Sequence, residues 1–158
     1  MADVAYTIEP GTKEAAAFIA AHLRDQDLAE MAVMHPGEDP ERIVLDGLAG
    51  SRWCNVVRVE DRPAIIYGVS DTDHAGIGVP WMLATPDLYR IKDAVRARAV
   101  EEVRLMAQTY VVLFNQVHAE NTVAINWLES LGFAIDRERA VGPNRSLYNF
   151  WMGEVRHV

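Results

Sequence analysis

Five histidines, His22, His35, His74, His118 and His157, carry the most versatile side-chain chemistry in this chain of 158 residues. None is spaced from another histidine, a cysteine or an acid as His-Glu-x-x-His would require, so no metal site is expected. His118 follows the apolar run Val111–Val117 and would sit just past a strand end. An imidazole there could act as a general base, or stand as an ordinary loop histidine. Asp71, Asp73 and His74 put two acids and an imidazole in one short loop. Their spacing fits no calcium loop and reads as a solvated turn. Cys54, the one cysteine, lies in a valine-rich run where a buried, inert thiol is the usual outcome. It cannot close an internal disulfide, and nothing points to an oxidising compartment.

Charge narrows the partners. The formal net charge is −8, and residues 1–50 hold ten acids against Lys13, Arg24 and Arg42. An acidic chain repels phosphate backbones, which argues against nucleic-acid binding. The acidic first third suits a cationic substrate or a basic partner, or is a solvated surface that keeps the protein soluble. Arg90, Arg96, Arg98 and Arg104 either recruit phosphates or pair with Asp93, Glu101 and Glu102 across an exposed helix face. Trp53, Trp81, Trp127 and Trp151 fall on different elements and read first as core, second as a docking patch or an oligomer contact. No stretch approaches the ~20 apolar residues of a membrane span, and MADVAYTIEP lacks the features of a secretory signal. The expected location is the cytoplasm.

The elements that must position these groups can be read from periodicity. A strand is expected at Val4–Ile8, then a helix Lys13–Leu23 capped by Thr12, a second from Asp25 to Met34, and a third from Asp39-Pro40 through Leu48. Arg52–Val59 and Ala64–Val69 read as a hairpin, Asp71–Gly78 as a loop, and Val79–Ala84 as a third strand, with Pro80 tolerable only at its beginning or on an edge. Leu88, Ile91, Val95, Ala99, Val103 and Met106 recur at helical spacing and predict one long helix. Val111–Val117 predicts a buried strand, Asn121–Leu131 a short helix closed by Gly132, and Ala134–Val141 and Leu147–Val155 two last strands. The expectation for residues 1–158 is one α/β (α+β) domain. It has a mixed, mostly antiparallel sheet of about six to seven strands with helices on both faces.

The stretch from Val117 through Asn121, Ala124 and Leu131 to Gly132-Phe133 resembles the fourth-helix signature of the GNAT family of N-acetyltransferases, and the element order is similar to theirs along nearly the whole chain. More narrowly, Tyr110–Gly153 and the run from Trp81 to Leu88 are similar to the acetyltransferase-like internal virion proteins of short-tailed phages. The family resemblance implies acetyl-CoA as cofactor, met by backbone groups at Leu83, Ala84 and Thr85 and by Asn121.

Two departures from the family pattern stand out. The family's Gln/Arg-x-x-Gly-x-Gly/Ala loop is replaced by Leu83-Ala84-Thr85-Pro86-Asp87-Leu88-Tyr89-Arg90, which has no glycine. Thr85 would cap the long helix itself, Pro86 has no N–H, and Asp87 would face a pyrophosphate across ~5 Å, a repulsion of roughly 3 kcal/mol at a dielectric of 20. Leu128 occupies the place of the family's acid tyrosine. The leading expectation is therefore a virion-associated docking body that binds other phage virion proteins through a degenerate acetyl-CoA site. The alternative is an active N-acetyltransferase acting on an amine, and a third reading is a regulatory module that binds CoA without catalysis.

Overall fold

A computed structural model of the chain describes residues 4–153. Seven strands form one sheet in the order β1-β2-β3-β4-β5-β7-β6. The strands are β1 (Tyr6–Pro10), β2 (Ser51–Val59), β3 (Arg62–Asp71), β4 (Ile77–Ala84), β5 (Val112–His118), β6 (Ala134–Ile135) and β7 (Leu147–Gly153). Every neighbouring pair is antiparallel except β4 and β5, which run parallel. Three helices, α1 (Lys13–Ala21), α2 (Asp25–Met34) and α3 (Pro40–Gly50), lie between β1 and β2; α4 (Leu88–Thr109) and α5 (Thr122–Ser130) flank β5.

The pleat of β3 divides the core. Ile66 packs with Ile19, Met31 and Val44 of the first three helices, while its neighbour Ile65 packs with Leu88, Ile91 and Val95 of α4. Successive strand residues face opposite sides, so a run of apolar residues serves two helical layers at once. Thr12 caps α1 as expected, its hydroxyl accepting the Ala15 N–H at 3.2 Å. Gly132, at φ +101°, ends the turn after α5.

Four expectations shift. The first strand lies at Tyr6–Pro10, because Pro10 sits on the sheet edge where no N–H is needed. Asp71–Gly78 is only partly a loop: Asp71 ends β3, and Ile77 and Gly78 begin β4. The strand expected over Ala134–Val141 shrinks to Ala134–Ile135 plus a bridge from Val141 to Leu147, with Asp136 taking the Glu138 and Arg139 N–H groups into a turn. The last strand ends at Gly153, and the remainder of the expected Leu147–Val155 run lies outside the described residues.

Gly78 stands where β4 meets β5, against the ring of the buried Tyr110. A Cβ on it would lie 2.6–2.8 Å from three ring carbons. Tyr110 is held by its hydroxyl donating to Asp71, so the ring has little room to yield. Gly78→Ala is expected to cost about 1–3 kcal/mol, the usual range for overpacking. The check is a thermal melt, in which the variant should unfold several degrees below the parent.

Candidate active site

The parallel ladder between β4 and β5 consists of Ile77 opposite Val112 and Gly78 opposite Leu113. Beyond those two pairs the strands part, and the open edge of β4 faces a gap. Thr85 donates its N–H to Ala64 of β3, which sets the phase of the pleat. Pro80, Met82 and Ala84 therefore turn their backbone groups toward the gap. Pro80 has no N–H, and its carbonyl accepts from Asn115 Nδ2 at 2.8 Å. Ala84 is engaged at both ends, its N–H donating to Asp27 Oδ2 at 3.1 Å and its carbonyl accepting the Arg24 N–H at 3.1 Å. Met82 is left as the backbone hydrogen-bonding point on this stretch.

A cavity of about 620 Å³ opens through the gap. One helical stripe of α4 (Leu88, Lys92, Val95 and Ala99) and the facing side of α5 (Ala124, Trp127 and Leu128) wall it on one side. On the side of the first three helices the walls are Met31, Met34, Ile43 and Trp81. Volume and lining suit an organic ligand with a few fixed polar contacts.

Glu30 is the polar group with the clearest chemical capacity. It lines the cavity half-buried, and its Oε1 accepts the His118 backbone N–H at 2.7 Å. Burial pushes its carboxyl up to about 7, although the His118 N–H pulls the other way and Asp27 adds to the rise. A carboxyl poised there can exchange a proton near neutrality. Asp27, one turn earlier on α2, is 3% exposed and bound bidentately by Arg24, with Nε and Nη2 each at 3.0 Å from its oxygens. The Arg24 guanidinium also lies over the Tyr89 ring, 5.9 Å from its centroid.

His118 reaches the site through its backbone, and its imidazole is not among the groups lining the cavity. Leu83 and Asn121 line it; Ala84 and Thr85 do not, and their N–H groups are already engaged by Asp27 and Ala64. Asn121 is buried and caps α5, its Oδ1 accepting the Ala124 N–H at 3.2 Å, which keeps Nδ2 as its remaining donor. Asp87, not Thr85, is the residue flanking α4, though the Thr85 hydroxyl accepts the Asp87 N–H at 3.3 Å. The charge of Asp87 is compensated rather than bare, because Arg62 and Arg90 both pair with it, at 3.1 Å and 3.6 Å. The Leu88, Tyr89 and Arg90 N–H groups close back on Thr85, Pro86 and Asp87, so the turn offers no free N–H cradle. Arg98 and Arg104 pair with Glu102 and Glu101 as expected, whereas Arg96 donates to Ser130. Among the described residues no group of His, Cys, Asp and Glu is placed to hold a metal, and no helix is long and apolar enough to cross a membrane.

Sequence reasoning missed Glu30, Asp27 and Met82. The first two look like a solvated helix face in the sequence, and the one available signal is that Met31 and Met34 share α2 with them.

No protein-family model and no curated protein matches the sequence. Solved structures match along nearly its whole length. The spermidine N-acetyltransferase of Vibrio cholerae, solved with CoA and spermine, has a TM-score of 0.64 at 13% identity, covering 93% of this chain and 94% of that one. The ribosomal-protein-S18-alanine N-acetyltransferase of Escherichia coli gives 0.59 at 17% identity over 93% and 91%. An acetyltransferase of Bacillus subtilis solved with CoA gives 0.59 at 13% identity over 96% and 100%. The fold is that of the GNAT acetyltransferases. These neighbours lend no support to the virion resemblance.

Proposed function

We propose that this chain is an N-acyltransferase that moves an acetyl group from acetyl-CoA to an amine. The observation that carries the reading is the half-buried Glu30 carboxyl in a cavity that reaches the open edge of β4 at Met82. The thioester end of the donor fits what is present. Met82 offers its carbonyl to an extended amide-bearing arm, as an open strand edge does, Asn121 Nδ2 adds a donor, and the Met82 N–H stays free for the acyl oxygen. The diphosphate end finds no N–H cradle at the start of α4. Lys92, half-buried on the cavity wall with no carboxylate within 4.0 Å among the described residues, is the cation available to a phosphate there.

When bound, the donor supplies an acyl carbon whose C–S bond is exchanged for a C–N bond. Glu30 takes the proton that the attacking amine must lose. Met82 N–H is the group able to stabilise negative charge developing on the acyl oxygen. Leu128, on the wall where the family has its acid tyrosine, donates nothing. That position would therefore supply no proton to the departing thiolate, which would take one from solvent. The apolar walls exclude water, which strengthens both interactions.

The test is a thermal melt and calorimetry with millimolar acetyl-CoA. Occupancy at a hundred times the dissociation constant stabilises a fold by roughly 2.7 kcal/mol, so the melting point should rise by several degrees. An unchanged melting point in a well-folded sample would sink the transferase reading. One observation favours a second reading, a docking body that binds other proteins without catalysis: the closed first turn of α4. That reading expects the unchanged melting point.

A further inference from the structure

The mouth of the cavity on the side of α2 and α3 is graded from its rim to its floor. At the rim stand Glu38 and Asp46, with side chains 54% and 71% exposed, Glu38 lying 3.5 Å from the His35 imidazole and Asp46 3.8 Å from Arg42. Below them the walls turn apolar, with Met34 and Ile43 half-buried and Met31 at 7% exposure. Glu30 lies on the same helix as Met31 and Met34, where burial has raised its pKa.

Trp81 gives this throat a fixed aromatic wall. Its Nε1 donates to Ser51 Oγ at 2.8 Å, and that hydroxyl donates to the Gly47 carbonyl at 2.7 Å. A Cβ on Gly47 would lie 3.2 Å from the indole, so α3 backs the ring closely. The indole is held both at its nitrogen and along its benzo edge. The cation nearest the floor, Arg24, is spoken for by Asp27, and Asp27 by Arg24 and the Ala84 N–H. Among the described residues, then, the floor holds Glu30 as its free carboxyl, and the throat above it holds thioethers, an aliphatic chain and an indole.

Such a funnel selects for a particular shape of amine. The acidic first third, ten acids against three bases in residues 1–50, attracts a protonated amine through solvent. The throat then rewards an apolar body and penalises a second charge, which would lose its water without a partner. One carboxyl at the floor accommodates one amino group. Resting on the transferase reading above, we infer that the acceptor is a monoamine carried on an apolar body, of the arylalkyl or branched-alkyl kind, rather than a polyamine or a zwitterionic amino acid.

The experiment measures thiol release from acetyl-CoA with phenethylamine, 3-methylbutylamine, spermidine and free lysine as acceptors. Phenethylamine or 3-methylbutylamine should exceed spermidine and lysine at least tenfold in kcat/KM, since an apolar pocket discriminates by roughly 10- to 200-fold per group. Met34→Ala should raise KM for phenethylamine several-fold with little change in kcat. Calorimetry of phenethylamine against the chain alone should show the same loss of affinity in that variant. Turnover that favours spermidine or lysine overturns the inference and leaves the transferase reading standing. Turnover with none of the four, or no binding of acetyl-CoA, takes down the transferase reading and the inference with it.

Discussion

Glu30→Gln is expected to lower kcat/KM for acetyl transfer by roughly 10²- to 10⁴-fold, the span that general-base catalysis covers. Glutamine keeps the shape and retains an oxygen to accept the His118 N–H, so the fold should survive. The pH dependence separates loss of a base from loss of packing. In the parent, kcat/KM should climb as Glu30 ionises, with an inflection near its raised value of about 7. That inflection should vanish in the variant. Stability should move in the opposite sense. The folded chain holds a proton on Glu30 that the unfolded chain releases from the ordinary carboxyl value of 4.5 upward. The group's contribution is therefore fully present below that value and is lost as pH rises through about 7. The variant has no such proton to lose. Its melting point relative to the parent should rise between about pH 4.5 and 7. A parent whose rate is flat across neutral pH, with the variant equally active, would remove Glu30 from the chemistry.

The largest effect on stability should come from Asp27→Ala. Asp27 answers three donors, two from Arg24 and the Ala84 N–H, in a region 3–6% exposed. Removing it strands a buried guanidinium and a strand-edge amide together. Breaking a buried pair on one side costs about 3–5 kcal/mol. In a domain of this size that corresponds to a melting point lower by about 10 °C. Two companions apportion the loss. Asp27→Asn retains an acceptor for the Ala84 N–H and should lose less. Arg24→Met with Asp27→Leu removes both charges and should regain part of the loss, leaving the Ala84 amide unmet. A single Asp27→Ala variant within about 1 kcal/mol of the parent would show that water replaces the carboxylate and that the site is wetter than its burial implies.

What could be read in advance follows from distance along the chain. The long stripe from Leu88 to Met106, the hairpin around Asp61, the Thr12 cap, the Asn121 cap and the stop at Gly132 are decided within a few residues of themselves. Local spacing and turn chemistry suffice for those. The site is built by long-range meetings instead. Glu30 meets His118 across 88 residues, Asp27 meets Ala84 across 57, and Arg62 meets Asp87 across 25. A lone carboxylate on a polar helix carries no mark that tells it from a solvated one until its partner strand arrives. For the same reason Asp87 was expected to repel a phosphate, though Arg62 and Arg90 neutralise it. The weak strand at Ala134–Ile135 failed differently. Its alternation was adequate, but Asp136 bends the chain into a local turn that competes with the ladder.

Pro80 has a mechanical consequence. β5 can zip onto β4 only as far as β4 has donors to offer, and the zipper meets a missing tooth two residues after its last rung at Gly78. The sheet is thus two rafts, β1 to β4 and β5 to β7, moored at one corner by two residue pairs. Past the last rung the two rafts are joined by side chains instead: Asn115 reaches the Pro80 carbonyl, and Val69 of β3 shares one core with Leu113 and Val117 of β5. The place where the ladder parts is written in the backbone, so the walls of the gap can be rewritten in side chains while the parting stays where it is.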